Sequence, residues 1–253
     1  MSHMKANLLM LIASLIWGTA FVSQKTGMGA IGPFTFSFAR FFLASLTVLP
    51  LVLIYESNNF SKIVKNKNYI LLSLLAGLAL FGGMGIQQYA LLKSQIANTA
   101  FLSTLYVPFV ALISRFIFRS HLHWIIWIAV LLCLYGSYLL SSNQAFDIQK
   151  SDSLLFIAAF FFAIHIIIID IFMKKFYSPF IFGFIQYMIV FFLSMILAFS
   201  LEMPTLTNIK IEWFEIIYTG VFSAGIGYTL QIIAQSKASP APAAIILSME
   251  SVF

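Results

Sequence analysis

Apolar residues fall along this chain in runs of about 20, broken by short polar intervals and with no alternation of period two. A helix rises 1.5 Å per residue, so such a run crosses a hydrocarbon core of about 30 Å. The pattern predicts helices at residues 5–24, 34–54, 69–91, 96–117, 123–140, 153–173, 180–200, 213–235 and from 240 onward. A β-barrel would need short segments of alternating polarity, and the sequence has none. The expected fold is an all-α polytopic membrane protein. Its final segment, 240 to 253, is too short to cross.

The pattern also repeats. At an offset of 143 residues Gly77 falls on Gly220, Gly82 on Gly225, Gln88 on Gln231 and Ala100 on Ala243, while Pro108 falls on Ser251. At an offset of 146, PFTFSFAR at 33–40 returns as PFIFGFIQ at 179–186, which sets Arg40 against Gln186. A duplication accounts for both registers. The first unit is 1–143 and the second 144–253. Two complete units would need roughly 290 residues, about 37 more than are present, so the second unit is expected to be incomplete. On that arithmetic the 253-residue chain should be impaired as a carrier, and a version with one more apolar span should transport.

Composition agrees with the pattern: 61% of residues are hydrophobic, 9% are charged and 28 are Phe, against about 25% charged in a soluble domain. The net charge of +6 forms no basic stripe, so nucleic acid is not an expected partner. The charges sort by loop instead. Lys5, Lys62, Lys65, Lys67, Arg115, Arg119, Lys174, Lys175 and Lys237 fall on one side, and Lys25, Lys93, Lys150 and Lys210 on the other. The positive-inside bias then puts the N-terminus and the 55–68 loop in the cytoplasm and the 141–152 linker outside. Residues 5–24 lack a cleavage signature and read as a retained first span. The single cysteine, Cys133, allows no intramolecular disulfide and reads as packing.

Polar residues inside the spans are the candidates for chemistry. Trp17 serves either helix packing or an aromatic wall for a substrate. Arg40, nearly two turns into the second helix, snorkels outward, pairs with another group or contacts substrate; intramembrane arginine is costly enough to ask for a role. Gln87 and Gln88 close the third helix, with Gln88 chosen because the repeat sets it against Gln231. In the fourth helix Tyr106 stands beside Pro108, which breaks a backbone bond and bends the helix or frees a carbonyl. His165 is the only polar residue inside helix six and is either a packed partner or a titrating group. Tyr228, Gln231 and Gln235 share one helical face. Glu250 in a full second unit would lie near mid-membrane, where an ionised carboxylate must be neutralised, paired or hydrated. His121 and His123, two apart, do not share a helical face and suggest no metal site.

Trp17-Gly18-Thr19-Ala20-Phe21, QYALLKSQIANTAFLSTLYVPF and SPAPAAIILSMESVF together resemble the EamA-type family of the drug/metabolite transporter superfamily. The likeness covers nearly the whole chain. Ser251 stands where that family usually has proline, and the tenth helix is absent. The resemblance implies two inverted five-helix repeats, of which nine helices are present or partly present here. It also implies cytoplasmic termini and a central cavity lined by helices one, three, four, six, eight and nine. The implied activity is alternating-access transport of a small metabolite, an amino acid or similar neutral or zwitterionic solute, usually exported. On this reading the substrate-binding residues are Trp17, Gln88, Tyr106, His165, Tyr228, Gln231 and Glu250. No cofactor or metal is expected. The partners are the lipid bilayer and a small-molecule substrate, a homodimer is open to it, and the location is a bacterial inner membrane. The rival readings are a membrane-embedded enzyme, which lacks a catalytic constellation, and a channel or non-transporting scaffold, which lacks a ring of charge or a continuous polar face.

Overall fold

The computed structural model describes residues 1–59, 65–142 and 150–253. Residues 60–64, in the expected cytoplasmic loop, and 143–149, in the expected linker, lie outside the described residues, and with them Lys62 and Asp147. The described chain is helical and carries no strand. Its helices are α1 (His3–Thr26), α2 (Pro33–Glu56), α3 (Lys67–Leu91), α4 (Ile96–Phe116), α5 (Trp124–Ser142), α6 (Lys150–Lys175), α7 (Pro179–Leu201), α8 (Trp213–Gln235) and α9 (Pro240–Leu247). Among the described residues, seven helices are long and apolar enough to cross a membrane, and α5 adds a shorter apolar stretch at Trp124–Gly136. The chain is an integral, multi-pass membrane protein.

Two spans are not plain α-helix. In α2 the last turn, Val52–Glu56, widens into a π-helix just after Pro50, whose ring cannot donate to the preceding turn. In α8 a longer π-helical stretch runs from Tyr218 to Gly227. Glycine lets that stretch press against α2: a Cβ on Gly220 would stand 2.8 Å from the carbonyl oxygen of Arg40. In α4 the helix breaks at Thr104–Leu105, one turn before Pro108, as the missing proline N–H requires. The Thr104 carbonyl that Pro108 cannot reach accepts instead from the Val107 N–H at 2.9 Å and from the Cys133 thiol at 3.5 Å.

The longest shared face in the bundle belongs to α2 and α7, which run antiparallel and hold each other's ends. Each opens on a proline, Pro33 and Pro179, and each closes on a glutamate 23 residues later, Glu56 and Glu202. The Glu56 carboxylate, at the end of α2, accepts from Ser178 Oγ at 2.7 Å, the Phe180 N–H at 3.3 Å and the Ile181 N–H at 2.8 Å, at the start of α7. Glu202, at the end of α7, accepts from the Phe34 N–H at 2.9 Å, the Thr35 N–H at 2.7 Å and the Thr35 hydroxyl at 2.6 Å, at the start of α2. A helix start presents unbonded N–H groups and positive partial charge, and a carboxylate answers both.

The other contacts follow one scheme. The first helix, α1, packs on α8 and α9, while α6 packs on α3 and α4. The third helix, α3, packs on α7, and α8 on α2. Exchanging the first four helices with α6–α9 leaves this list unchanged. The interdigitation leaves a buried centre where α1, α3, α4, α6, α8 and α9 converge.

Candidate functional site

At that convergence lies a cavity of about 40 Å³, room for a few waters and no more. Its aromatic wall is built from Trp17 of α1, Tyr106 of α4 and Tyr228 of α8, with Phe21 and Phe162 beside them. The rings of Trp17 and Tyr228 are 4.7 Å apart, and His165 stands edge-on to Tyr228 at 6.0 Å. Gly227 makes this possible, because a Cβ there would meet Trp17 Nε1 at 2.6 Å. The indole Nε1 then donates to the Ser223 carbonyl at 3.0 Å, inside the π-helical stretch.

Polar groups reach the cavity through short relays anchored on backbone carbonyls. Gln235 Nε2 donates to the Ile166 carbonyl at 2.9 Å, and its Oε1 accepts from Gln231 Nε2 at 3.0 Å, which leaves Gln231 Oε1 buried without a partner. On the opposite side Ser103 Oγ donates to the Thr99 carbonyl at 2.6 Å and accepts from Gln87 Nε2 at 2.7 Å. His165 Nε2 meets Gln186 Oε1 at 2.6 Å, and Gln186 Nε2 donates to the Phe182 carbonyl at 3.1 Å. The amide orientation makes the imidazole the donor. Glu250, 8% exposed, receives one hydrogen bond, from the Tyr106 hydroxyl at 3.3 Å.

Of the sequence candidates, Trp17, Tyr106, His165, Tyr228, Gln231 and Glu250 line the cavity. Gln88 does not. It turns into the contact between α3 and α1, where its Nε2 meets the Gln24 carbonyl and Met28 Sδ, each at 3.0 Å. Its neighbour Gln87 lines the cavity instead, together with Gln24 of α1. A helix apolar on all sides gives no periodic clue to which of two adjacent amides faces inward. The Tyr228, Gln231 and Gln235 face divides in the same way, with two residues on the cavity and Gln235 behind them as the anchor.

Arg40 neither snorkels nor pairs. It is 1% exposed, and none of its three guanidinium nitrogens has a hydrogen-bond partner. The rings of Phe36 and Phe41 flank it at 5.6 and 5.1 Å. Asp170 and Lys174 make a helix-end pair at 2.8 Å. Among the described residues no three His, Cys, Asp or Glu side chains gather as a metal site would need.

Comparison with known proteins places the chain by family and fold. The EamA-like transporter family matches residues 4–142 and again residues 149–253. An uncharacterized transporter of Archaeoglobus fulgidus is 29% identical over 251 residues, which is 98% of this chain and 75% of that protein. The uncharacterized transporter YoaV of Bacillus subtilis is 28% identical over 138 residues, 54% of this chain and 46% of its own length. A crystal structure described only as that of a protein shares the fold, with a TM-score of 0.76 at 18% identity over 99% of this chain and 86% of its own.

Proposed function

This chain belongs to the EamA-like transporter family, and from that premise we propose that it moves a small metabolite across a bacterial inner membrane by alternating access. The solute is an amino acid or a similar neutral or zwitterionic molecule, the direction is export, and the N-terminus is cytoplasmic. The observation that carries the proposal is the small central cavity lined by α1, α3 and α4 together with α6, α8 and α9. Residues 1–143 and 144–253 act as two inverted units. Support for them comes from the contact scheme that survives their exchange, the reciprocal glutamate caps, and a family match that falls once on each unit. Rocking one unit against the other would open the centre to alternate sides.

Trp17, Tyr106, His165, Tyr228, Gln231 and Glu250 contact the solute, joined by Gln87, while Gln88 braces α1 against α3. A cavity that holds only a few waters fits an occluded state, so a metabolite enters after the halves part. The test is uptake of a radiolabelled metabolite panel into proteoliposomes. Saturable flux of one solute, lost on Tyr228→Ala at matched protein density, is expected. Unsaturable flux would mean a channel, and no flux for any solute, either from this chain or from a version with one more apolar span, would remove the transport reading.

A further inference from the structure

The direction of the hydrogen bonds around the cavity tells what kind of ligand it suits. Four donors on the lining are spent, while the Gln24 amide is left unengaged. The Trp17 indole donates to the Ser223 carbonyl at 3.0 Å, the Tyr106 hydroxyl to Glu250 at 3.3 Å, and the Tyr228 hydroxyl to Met84 Sδ at 2.8 Å. His165 gives its Nε2 proton to Gln186 at 2.6 Å. Acceptors remain. The relay from the Ile166 carbonyl through Gln235 forces Gln231 to present its oxygen, because both amide nitrogens along it are committed. The relay from the Thr99 carbonyl through Ser103 forces the same on Gln87. Reversing either glutamine would set an amide oxygen against another acceptor or waste a carbonyl, so neither orientation is free.

Gln231 Oε1 is the clearest sign. It belongs to a side chain 2% exposed, lines the cavity and has no partner. An unbonded acceptor in that setting is costly, a deficit that a bound N–H would remove. Glu250 adds a carboxyl group that becomes the counter-ion when a cation enters, and the rings of Trp17 and Tyr228 line the same space.

We propose that the cavity is an ammonium subsite: Gln87 Oε1, Gln231 Oε1 and the Glu250 carboxylate accept the N–H groups of a protonated amine, with Trp17 and Tyr228 against its carbon. The size agrees, since an ammonium head is close to a water in volume and the cavity holds little more. The rest of the solute needs the halves to part. This assignment rests on the transport reading for its biological meaning but makes a claim of its own about binding.

The test is direct binding to the purified 253-residue chain in detergent, read by isothermal titration at neutral pH with three matched probes. Phenethylamine carries the donor cation, phenethyltrimethylammonium the cation without N–H, and 3-phenylpropionate the opposite charge. Phenethylamine should bind, the quaternary probe about tenfold more weakly, and the carboxylate not detectably. Gln231→Leu and Gln87→Leu should each weaken phenethylamine about tenfold while Gln88→Leu leaves it unchanged, with thermal unfolding confirming that each variant is folded. Carboxylate binding equal to or tighter than the amine, amine binding indifferent to Gln231→Leu and Gln87→Leu, or no binding by any probe would overturn the subsite. Amine binding without flux in proteoliposomes would leave the subsite standing and remove the transport reading. Flux of solutes that carry no amine, with no amine binding, would do the reverse.

Discussion

The helices α2 and α7 match at their ends and differ in their middles. Arg40 lies seven residues after Pro33, and Gln186 seven after Pro179. Both side chains are buried, at 1% and 0% exposure. Gln186 has both amide atoms bonded, to His165 and to the Phe182 carbonyl, while the guanidinium of Arg40 has no hydrogen bond and is flanked by the Phe36 and Phe41 rings. At the ends the four elements of the scheme, two prolines and two glutamates, are all satisfied. Polar residues at the helix ends therefore build the fold. In the middle, one position of a matched pair carries a bonded amide and the other an uncompensated cation, so burial alone does not mark a residue as structural.

The largest expected effect comes from the part that is shared. Glu56→Ala removes the acceptor for three donors in a site where the carboxylate is 7% exposed. The loss should be about 2–4 kcal/mol, read from unfolding in detergent. Glu202→Ala, less buried, should cost about half as much. Equal stability of both variants and the parent would show that water caps these helix starts as well as the carboxylates do, and the likeness of the ends would lose its physical meaning.

A middle-sized effect separates the unlike residues by sign. Arg40→Met replaces a buried cation that no group neutralises with a chain of similar length, and should raise resistance to unfolding by about 1–3 kcal/mol. Gln186→Leu strips the acceptor from the buried His165 Nε2 and should lower it by about 1–2 kcal/mol. The same unfolding measurement decides. Destabilisation by Arg40→Met would mean that the flanking Phe36 and Phe41 faces compensate the charge, and the contrast between the two helices would vanish.

Much of this was legible from residues alone, and the limits have physical causes. Runs of apolar residues locate the spans because the bilayer sets their length, and Pro33 and Pro179 mark helix starts because a first-turn proline loses no bond. The register that sets Arg40 against Gln186 reaches Glu56 and Glu202 as well, but a glutamate beside a loop reads as a solvated charge until a helix start is found beside it. Which of Gln87 and Gln88 faces the cavity depends on the rotation of α3. That rotation is set by close packing, where a Cβ on Gly83 would meet Phe162 at 2.7 Å, and not by any polar stripe. The π-helical stretch Tyr218–Gly227 leaves no sequence signature beyond its glycines, yet it supplies the Ser223 carbonyl that fixes Trp17.

The smallest effect lies one residue further along the same two helices, where Phe41 faces Tyr187 at 6.2 Å between ring centres. These two also share a register, and they differ by one hydroxyl. Thr229 Oγ1 donates to the Gly225 carbonyl at 2.6 Å, so at the 3.0 Å contact between the two hydroxyls Tyr187 is the donor. That bond ties α7 to the C-terminal half of α8, and α2 has no counterpart because Phe41 has nothing to donate. Tyr187→Phe makes the two helices alike at this position while leaving the ring in place. The Thr229 hydroxyl keeps its own bond to the Gly225 carbonyl, so no donor is orphaned and the cost is the single interhelical bond, about 0.6 kcal/mol by the average for such bonds in membrane bundles. A loss above about 2 kcal/mol in the same unfolding assay would show that this hydroxyl holds the π-helical stretch in shape, and that α7 differs from α2 at two positions of structural consequence and not one.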